Sequence, residues 1–335
     1  MKETIKSQIK KNIKESFIDE ILIESFQSEH IKYAPSKLHI NNIENPYFET
    51  PPSRPQPNNK NIVFITSRFR TGSTLLWNIF RNAPGFTSFY EPFNERRWFS
   101  KANRGESTDS THKHVDNYWE EYDQLEHLSD TYDENWIRHQ LYMDKDSHNP
   151  NMKSFIQTLI DSTEGDVALQ FNRIDFRLPW IKHHFPEAKI LHLYRHPREQ
   201  WLSSLVDIEK QNIKNIDSDF SDYFYLKTWA QDLAMVFPVL TEWKELHPYE
   251  LFYILWKLSY IFGQQHSDLS FSFEDVTSTP ETILGSISTL LKKDIGGPIN
   301  IINPTPQQKW PKYADEEWFI ERESYCEEIL NQLLR

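Results

Sequence analysis

The segment from residue 61 to residue 83 constrains the fold of this chain more than any other. An apolar run at 61–65, typical of a buried strand, leads into the loop Thr66-Ser-Arg-Phe-Arg-Thr-Gly-Ser-Thr74. Apolar residues then recur at helical spacing over 73–83 and predict a helix with one buried face. A strand that passes through a short loop into a helix N-terminus directs backbone N–H groups and the positive end of the helix dipole at one place. Such a place binds phosphate or sulfate.

This loop does not match the phosphate loop of nucleoside-triphosphate enzymes. That motif, G-x-x-x-x-G-K-[ST], supplies a Lys to the terminal phosphates and a hydroxyl to magnesium. Here Arg68 stands in place of the first Gly, and Gly72 is followed by Ser73 instead of Lys. The cation precedes the glycine, as Arg70. We therefore expect an anion site that is poorly suited to a magnesium triphosphate.

Strand and helix patterns alternate along the rest of the chain. They predict an α/β protein with a P-loop-like three-layer fold, in which helices flank a central, mostly parallel sheet. The predicted strands are 61–66, 86–90, 167–171, 188–194 and 269–273. The predicted helices are 73–83, 152–163, 175–185, 197–210, 225–243, 250–265, 280–292 and 315–334. Ligands of such sheets bind at the carboxyl ends of the strands.

The chain is predicted to divide near residue 60. Apolar residues recur every four residues at Ile5, Ile9, Ile13, Phe17 and Ile21, which predicts an amphipathic helix over 3–26. A Pro- and Asn-rich linker follows. This N-terminal region, 1–59, is expected to dock on the core or on a partner in a homodimer. Membrane-surface binding is the alternative, although the polar face is not uniformly basic. The main domain is expected over 60–335, with an acidic, aromatic insert at about 98–148.

The negative charge is concentrated in this insert. The net charge is −12, and residues 106–148 carry twelve Asp or Glu against Lys113, Arg138 and Lys145. An acidic chain is not expected to bind nucleic acid. The insert is predicted either to form an acidic wall beside a ligand, which repels polyanions, or to be a solvated helical hairpin whose aromatic side chains pack on the core.

Cysteine usage and hydropathy indicate a cytoplasmic protein. Cys326 is the only cysteine, which fits a reducing compartment and leaves no disulfide or cysteine metal site. No apolar run reaches the ~18 residues that a membrane span requires. Lys and Glu interrupt each apolar cluster up to Phe17, so no secretory signal is expected.

A second strand-to-helix junction carries basic residues. The predicted strand 188–194 is followed by Arg195-His-Pro-Arg198, and Pro197 suits the first position of a helix. Ser203 lies eight residues after Arg195. A lone arginine here would be read as a surface salt bridge. Two such junctions in one α/β domain indicate a ligand with two separated anionic groups.

Together, the two junctions resemble the sulfotransferases. The segment Arg70-Thr-Gly-Ser-Thr74 is similar to their 5′-phosphosulfate loop, and the segment from Arg195 to Ser203 is similar to their 3′-phosphate motif. The resemblance covers most of residues 60–205 in motif order. It implies the donor 3′-phosphoadenosine 5′-phosphosulfate (PAPS), the product 3′-phosphoadenosine 5′-phosphate (PAP), a small-molecule acceptor, and no metal.

The resemblance also implies residue roles at the donor. Backbone amides from Thr71 through Gly72 to Thr74, with the hydroxyls of Ser73 and Thr74, would bind the 5′-phosphate. Arg70 would stabilise charge on the bridging oxygen as the sulfuryl group leaves. Arg195 and Ser203 would bind the 3′-phosphate, because Arg makes forked contacts with phosphate.

The adenine contact is expected away from the first loop. Leu75 stands where many cytosolic members carry a Trp that stacks on adenine. The C-terminal segment offers Lys309 and Trp310 instead. Packing of Trp310 in the core is the alternative.

Glu91 is the candidate general base. It ends the second predicted strand, between the aromatic residues Phe89, Tyr90 and Phe93, at the sheet edge where ligands bind. Branches of the family that use a catalytic Glu, such as the protein-tyrosine sulfotransferases and some bacterial enzymes, place the base similarly. The sequence therefore predicts that Glu91 takes the acceptor proton.

Other assignments remain open at this stage. Glu91 is alternatively a partner of Arg96, Arg97 or an arginine of the phosphate loop. His112 and His114 are alternative bases if their segment folds over the site, whereas the pattern around His192 is typical of a satisfied sheet histidine. The rival functions are a nucleotide kinase-like phosphoryl transferase and a non-catalytic nucleotide-binding protein of the same fold.

Overall fold

The computed structural model describes residues 60–105, 108, 109, 112, 114–205, 220–296, 302 and 309–333. The N-terminal helix and linker predicted at 1–59 lie outside the described residues. Within those residues, no helix combines the length and the apolar character needed to cross a bilayer.

The described residues form one five-stranded, fully parallel sheet. Its strands are β1 (Ile62–Ser67), β2 (Phe86–Tyr90), β3 (Asp166–Phe171), β4 (Lys189–Tyr194) and β5 (Leu269–Ser272). Their order across the sheet is β2-β3-β1-β4-β5. In the centre, Val63 of β1 lies opposite Ala168 of β3 and Lys189 of β4. The predicted α/β class and parallel sheet are confirmed.

Helices cover both faces of this sheet. They are α1 (Ser73–Arg81), α2 (Pro150–Asp161), α3 (Leu178–His184), α4 (Pro197–Ser204), α5 (Leu226–Leu233), α6 (Pro248–His266), α7 (Phe273–Ser278), α8 (Pro280–Leu291) and α9 (Glu316–Leu333). Alternate residues of β1 belong to different cores. Ile62 and Phe64 pack with α2 and α3, whereas Val63 and Ile65 pack with α1 and α8. The protein therefore has the three layers that a buried parallel sheet requires.

Two helix predictions were wrong in their extent, and one helix was missed. The helix predicted over 197–210 ends at Ser204. The predicted helix 225–243 ends at Leu233 and is followed by 3₁₀ turns at Pro238–Leu240 and Trp243–Glu245. Proline lacks the N–H that would continue an α-helix, so Pro238 can stand only at the first turn of a new helical segment. The short helix α7 was missed. It begins with a capping box in which Ser272 and Asp275 exchange hydrogen bonds.

The described part of the insert is irregular. Its described residues contain 3₁₀ turns at Glu120–Tyr122, Glu126–Asp130 and Glu134–Ile137 but no α-helix, so the predicted helical hairpin was wrong. Its aromatic side chains nevertheless pack into the core; Trp98, Tyr118, Tyr122 and Trp136 are buried there. Burial of these rings holds the insert against the β2 side of the sheet.

Candidate functional site

The two predicted anion loops meet at the carboxyl edge of the sheet. They follow β1 and β4, which are neighbouring strands. The chain leaves β1 towards one edge of the sheet and β4 towards the other, which makes this pair the topological switch point where ligands of open α/β sheets bind. Both loops line one cleft of about 720 Å³.

The cleft contains most of the site residues predicted from the sequence. It is lined by Arg70, Gly72, Ser73, Thr74, Glu91, Arg195, Ser203 and Lys309, together with His112. Thr71 does not line it; its buried hydroxyl donates to the carbonyl of Arg68 at 2.9 Å and closes the loop. Residues far apart in sequence thus share one surface.

Gly72 shapes the first loop. It precedes α1 with a φ of +92°, in the left-handed region that favours glycine. A Cβ at this position would lie 2.4 Å from the ring of Phe273. No side chain caps α1 at Gly72, and first-turn N–H groups have no intrahelical acceptors. The N-terminus of α1 therefore offers backbone donors to an anion.

Arg195 ties the two loops together. One of its terminal nitrogens donates to the carbonyl of Arg70 and to Oγ of Ser203, both at 3.2 Å. Arg70 in turn donates from Nε to the carbonyl of Ser203 at 2.8 Å. The guanidinium of Arg195 lies over the ring of Phe273, 5.1 Å from its centroid. The two cations predicted to bind separate anions are thus fixed relative to each other.

Arg195 retains unused capacity for an anion. Burial lowers the pKa of its guanidinium, against the opposing effect of Glu274 and Glu199. Its Nε is buried and finds no hydrogen-bond acceptor among the described residues. A buried donor without a partner is costly, so a phosphate placed here would relieve that cost.

The hydroxyls of the first loop face protein groups. Ser73 donates to Oδ1 of Asn172 at 3.2 Å. Thr74 lies 3.1 Å from the hydroxyl of Tyr90 and 3.2 Å from Nε2 of His112. The hydroxyls of Ser73 and Thr74 thus have protein partners, whereas the first-turn backbone N–H groups of α1 have no side-chain cap at Gly72.

Glu91 is buried at the end of β2, with a φ of +39°. Its Oε2 accepts from Arg173 at 3.0 Å and from Nδ2 of Asn94 at 2.6 Å, and its Oε1 accepts from Nδ2 of Asn172. Glu91 is therefore in an ion pair with Arg173. The alternative stated from the sequence, a pair with Arg96, Arg97 or an arginine of the phosphate loop, was wrong in its partner.

Asn172 and Arg173, which follow β3 directly, were not predicted from the sequence. Arg173 is 2% exposed and also donates to Glu95 at 2.7 Å. Burial opposes the positive charge of Arg173, but Glu91 and Glu95 outweigh this effect and raise its pKa. The available signal was a polar pair at the carboxyl end of a predicted strand, the position where ligands of parallel sheets bind.

Among the described residues, His112 is the one candidate histidine that lines the cleft. Its Nδ1 lies 2.6 Å from the hydroxyl of Tyr118, and burial lowers its pKa. His114 is exposed. His192 is buried in β4, 2.8 Å from Oγ of Ser270, and burial lowers its pKa to about 4. It is the satisfied sheet histidine that the pattern predicted.

The C-terminal segment contributes Lys309 to the cleft. The N–H groups of Lys309 and Trp310 donate to the carboxylate of Glu199 at 2.6 and 3.2 Å. The guanidinium of Arg198 lies over the ring of Trp310, 4.7 Å from the ring centroid. The same ring packs against Phe319. Trp310 is thus a packing residue, as the alternative stated.

One protein-family model matches the part of the chain that carries both loops. A model of the sulfotransferase family matches residues 62–257, which include both loops, Glu91 and Arg173. The chain belongs to the sulfotransferase family. No curated protein matches this sulfotransferase significantly.

Three solved structures are similar to this sulfotransferase. A sulfotransferase from Alicyclobacillus acidocaldarius is 15% identical, with 83% of this chain and 95% of that chain covered and a TM-score of 0.37. The sulfotransferase domain of the Synechococcus PCC 7002 olefin synthase is 17% identical, with 78% and 84% covered and a TM-score of 0.34. The sulfotransferase domain from the curacin biosynthetic pathway is 16% identical, with 82% and 97% covered and a TM-score of 0.34. The family assignment rests on the family model, because TM-scores this low add no weight.

In the described residues, no group of three or more His, Cys, Asp or Glu is arranged to hold a metal ion.

Proposed function

We propose that this sulfotransferase transfers a sulfuryl group from PAPS to a hydroxyl or amine of a small-molecule acceptor. The observation that carries the proposal is the convergence of two cationic loops in one cleft, where Arg195 contacts both Arg70 and Ser203. PAPS has two anionic ends, the 5′-phosphosulfate and the 3′-phosphate, and sulfotransferases use it as donor. The buried, unpaired Nε of Arg195 fits the second of these ends.

Each loop would hold one end of the donor. Backbone amides between Thr71 and Thr74 at the N-terminus of α1 suit the 5′-phosphate. Arg195 and Ser203 suit the 3′-phosphate, which accepts forked hydrogen bonds from arginine. PAPS supplies an activated sulfuryl group on its 5′-phosphate. The protein holds that group in line with the acceptor.

Glu91 would take the acceptor proton. Its carboxylate lies 3.0 Å from the guanidinium of Arg173 and lines the same cleft as the donor loops. As the acceptor oxygen or nitrogen bonds to sulfur, the bond from sulfur to the bridging oxygen breaks. Arg70 would stabilise the negative charge that remains on that oxygen. Alignment of the reacting groups supplies a further part of the rate.

The acceptor is proposed to be neutral or cationic. Glu95 and Asp109 line the cleft beside Glu91. These carboxylates would repel a polyanion. We place the enzyme in the cytoplasm, where its only cysteine, the buried Cys326, would stay reduced.

Calorimetric titration with PAP tests the donor assignment. We expect binding that is unchanged by magnesium. In Arg195→Ala, PAP should bind at least ~10-fold more weakly, because a charged hydrogen bond to phosphate is lost, whereas adenosine 5′-phosphosulfate should bind equally well to both proteins. The exposed Arg96→Ala serves as the matched control. Failure of PAP to bind, or tight magnesium-dependent binding of ATP instead, would favour the kinase-like rival.

The release of PAP from PAPS tests the base. The rate is measured with water alone and with a panel of phenols, alcohols and amines as acceptors. Glu91→Gln should bind PAP normally but turn over at least ~10²-fold more slowly, the usual effect of losing a general base. His112→Gln is the comparison. Full activity of Glu91→Gln together with loss of activity in His112→Gln would move the base to His112. No turnover by the wild type would favour the non-catalytic rival.

A further inference from the structure

One buried amide connects the donor loop to the candidate base. Asn172 is 4% exposed. Its Oδ1 accepts three hydrogen bonds, from Oγ of Ser67 at 3.0 Å, from Oγ of Ser73 at 3.2 Å and from Nε2 of Gln170 at 2.8 Å. Its Nδ2 donates to Oε1 of Glu91.

These partners bracket the phosphate-binding loop. Ser67 is the last residue of β1 and Ser73 is the first residue of α1, so one oxygen receives hydrogen bonds from both ends of the loop. The parallel register places the end of β1 beside the end of β3, with Thr66 opposite Phe171. The register of the sheet therefore brings Asn172, which follows β3, next to Ser67 at the end of β1.

The surrounding groups determine which way the amide points. A carboxylate accepts hydrogen bonds and cannot donate them. If the amide of Asn172 were turned over, its oxygen would face the oxygen of Glu91 and two acceptors would meet in a buried place. The observed orientation provides a donor to the carboxylate and an acceptor for the three donors on the other side.

Glu91 is anchored at its two oxygens by different residues. Arg173 and Asn94 hold Oε2, whereas Asn172 holds Oε1. Loss of the Asn172 contact would leave Oε2 held by Arg173 and Asn94, whereas Oε1 would lose its amide donor. The fold would then persist while the direction of Oε1 relative to the donor loop becomes undefined.

We propose that Asn172 is a positioning residue that fixes the Glu91 carboxylate relative to the donor loop. The proposal rests on the proposed role of Glu91 as base. A displacement of about 1 Å in a reacting group can cost ~10²-fold in rate. Asn172 sets this distance because it contacts the base and the first residue of α1 at the same time.

The first test is Asn172→Ala, assayed by PAP release from PAPS with water as acceptor. The rate should fall at least ~10-fold, while the Kd of PAP stays within about threefold of the wild type because the backbone donors of α1 remain. Asn149→Ala is the matched control. It also removes an asparagine amide, but one that caps α2 and does not line the cleft, so the rate should stay within about threefold of the wild type.

The second test places Asn172→Ala in the Glu91→Gln background. If Asn172 acts through Glu91, the second substitution should add little to the loss caused by the first, because effects of residues that act together are not additive. An equal loss in both backgrounds would overturn the proposal. A wild-type rate in Asn172→Ala, or a loss confined to PAP binding, would also overturn it.

The third test exchanges the two groups. The double variant Glu91→Gln with Asn172→Asp keeps one amide and one carboxylate in contact but moves the carboxylate to position 172. We expect the thermal midpoint of the double variant to lie closer to that of the wild type than the midpoints of the two single variants do. The turnover should stay low. Recovery of turnover would show that only the hydrogen bond matters and would overturn the proposal.

These outcomes are separate from those of the proposed function. If Glu91→Gln turns over normally, Asn172 cannot act through it and the positioning role fails, whereas PAP binding and PAPS turnover by the wild type would still support the PAPS-dependent function. If the wild type neither binds PAP nor releases it from PAPS, the proposed function itself fails.

Discussion

At the scale of single residues, the donor loop depends on a contact between Gly72 and Phe273. Gly72 has a φ of +92° and no space for a Cβ. Phe273 in turn lies under the guanidinium of Arg195. A side chain at position 72 would therefore disturb both anion sites.

Gly72→Ala should lower both stability and donor affinity. Left-handed backbone costs a non-glycine residue ~1–2 kcal/mol, and the displaced ring of Phe273 adds to this cost. We expect the free energy of unfolding to fall by about 2 kcal/mol and PAP to bind more weakly, measured by urea unfolding and calorimetry. Gly285→Ala is the control, because a Cβ there meets nothing within 4 Å and should stabilise α8 by up to ~1 kcal/mol. Equal effects of the two substitutions would contradict this account.

His192 should make the stability depend on pH. Burial lowers its pKa to about 4 in the folded state, whereas an unfolded histidine has a pKa of about 6.5. The unfolded state therefore binds the proton first, and the free energy of unfolding decreases as the pH falls from about 6.5 to about 4. The loss attributable to His192 approaches about 3 kcal/mol at the lower limit.

The measurement compares urea unfolding at pH 7.5 and pH 4.5 in the wild type and in His192→Asn. His112, His184, His196 and His266 also have lowered pKa values, so both proteins should lose stability in acid. The variant should lose about 2 to 3 kcal/mol less. An identical pH dependence would show that His192 is not the group responsible.

At the scale of elements, α9 is fastened by polar contacts as well as by its apolar side. The carboxylate of Glu323 receives two hydrogen bonds from Arg198, both at 2.8 Å, and one from Tyr249. Glu327 receives hydrogen bonds from Tyr253 and Lys257, each at 2.7 Å. Because Arg198 also covers Trp310, these contacts link α9 to α4 and to the segment that carries Lys309.

Glu323→Ala should remove the hydrogen bonds between α9 and Arg198 of α4. It leaves the mostly buried guanidinium of Arg198 without its bidentate partner, and breaking such a pair costs about 2–4 kcal/mol. We expect a loss of that size in chemical unfolding and weaker PAP binding, since Lys309 loses support. Glu328→Ala removes an exposed carboxylate from the same helix and should change stability by less than ~0.5 kcal/mol. A similar loss in both variants would argue against the Arg198 contact.

The elements that the sequence predicted well are those defined by local pattern. Buried parallel strands appear as apolar runs, so their bounds were found to within one residue. The anion loops were found because each follows a strand and begins a helix. Asn172 and Phe273 were missed because their partners come from other strands, and no local pattern encodes a contact made by the register of the sheet. The helix predicted over 225–243 ends at Leu233, before Pro238 begins a 3₁₀ turn.

At the scale of the whole molecule, ligand binding should stabilise the described domain. A ligand that binds only the folded state adds ~2.7 kcal/mol when its concentration is a hundred times its Kd. PAP should therefore raise the thermal midpoint by several degrees, by the same amount in EDTA as in magnesium. Scanning calorimetry with PAP, adenosine 5′-phosphosulfate and ATP would measure this. A magnesium-dependent shift with ATP alone would contradict the proposed donor.

The single ring of Phe273 has a consequence for donor selection. Because it contacts Gly72 at one anion site and Arg195 at the other, the separation of the two sites cannot be adjusted independently to suit the ligand. The cleft should consequently distinguish positional isomers that share charge, size and base. Adenosine 2′,5′-bisphosphate differs from PAP only in the carbon that bears the second phosphate, and it should compete poorly with PAP for the cleft. Replacing Phe273 with a smaller side chain should narrow the difference in affinity between the two isomers.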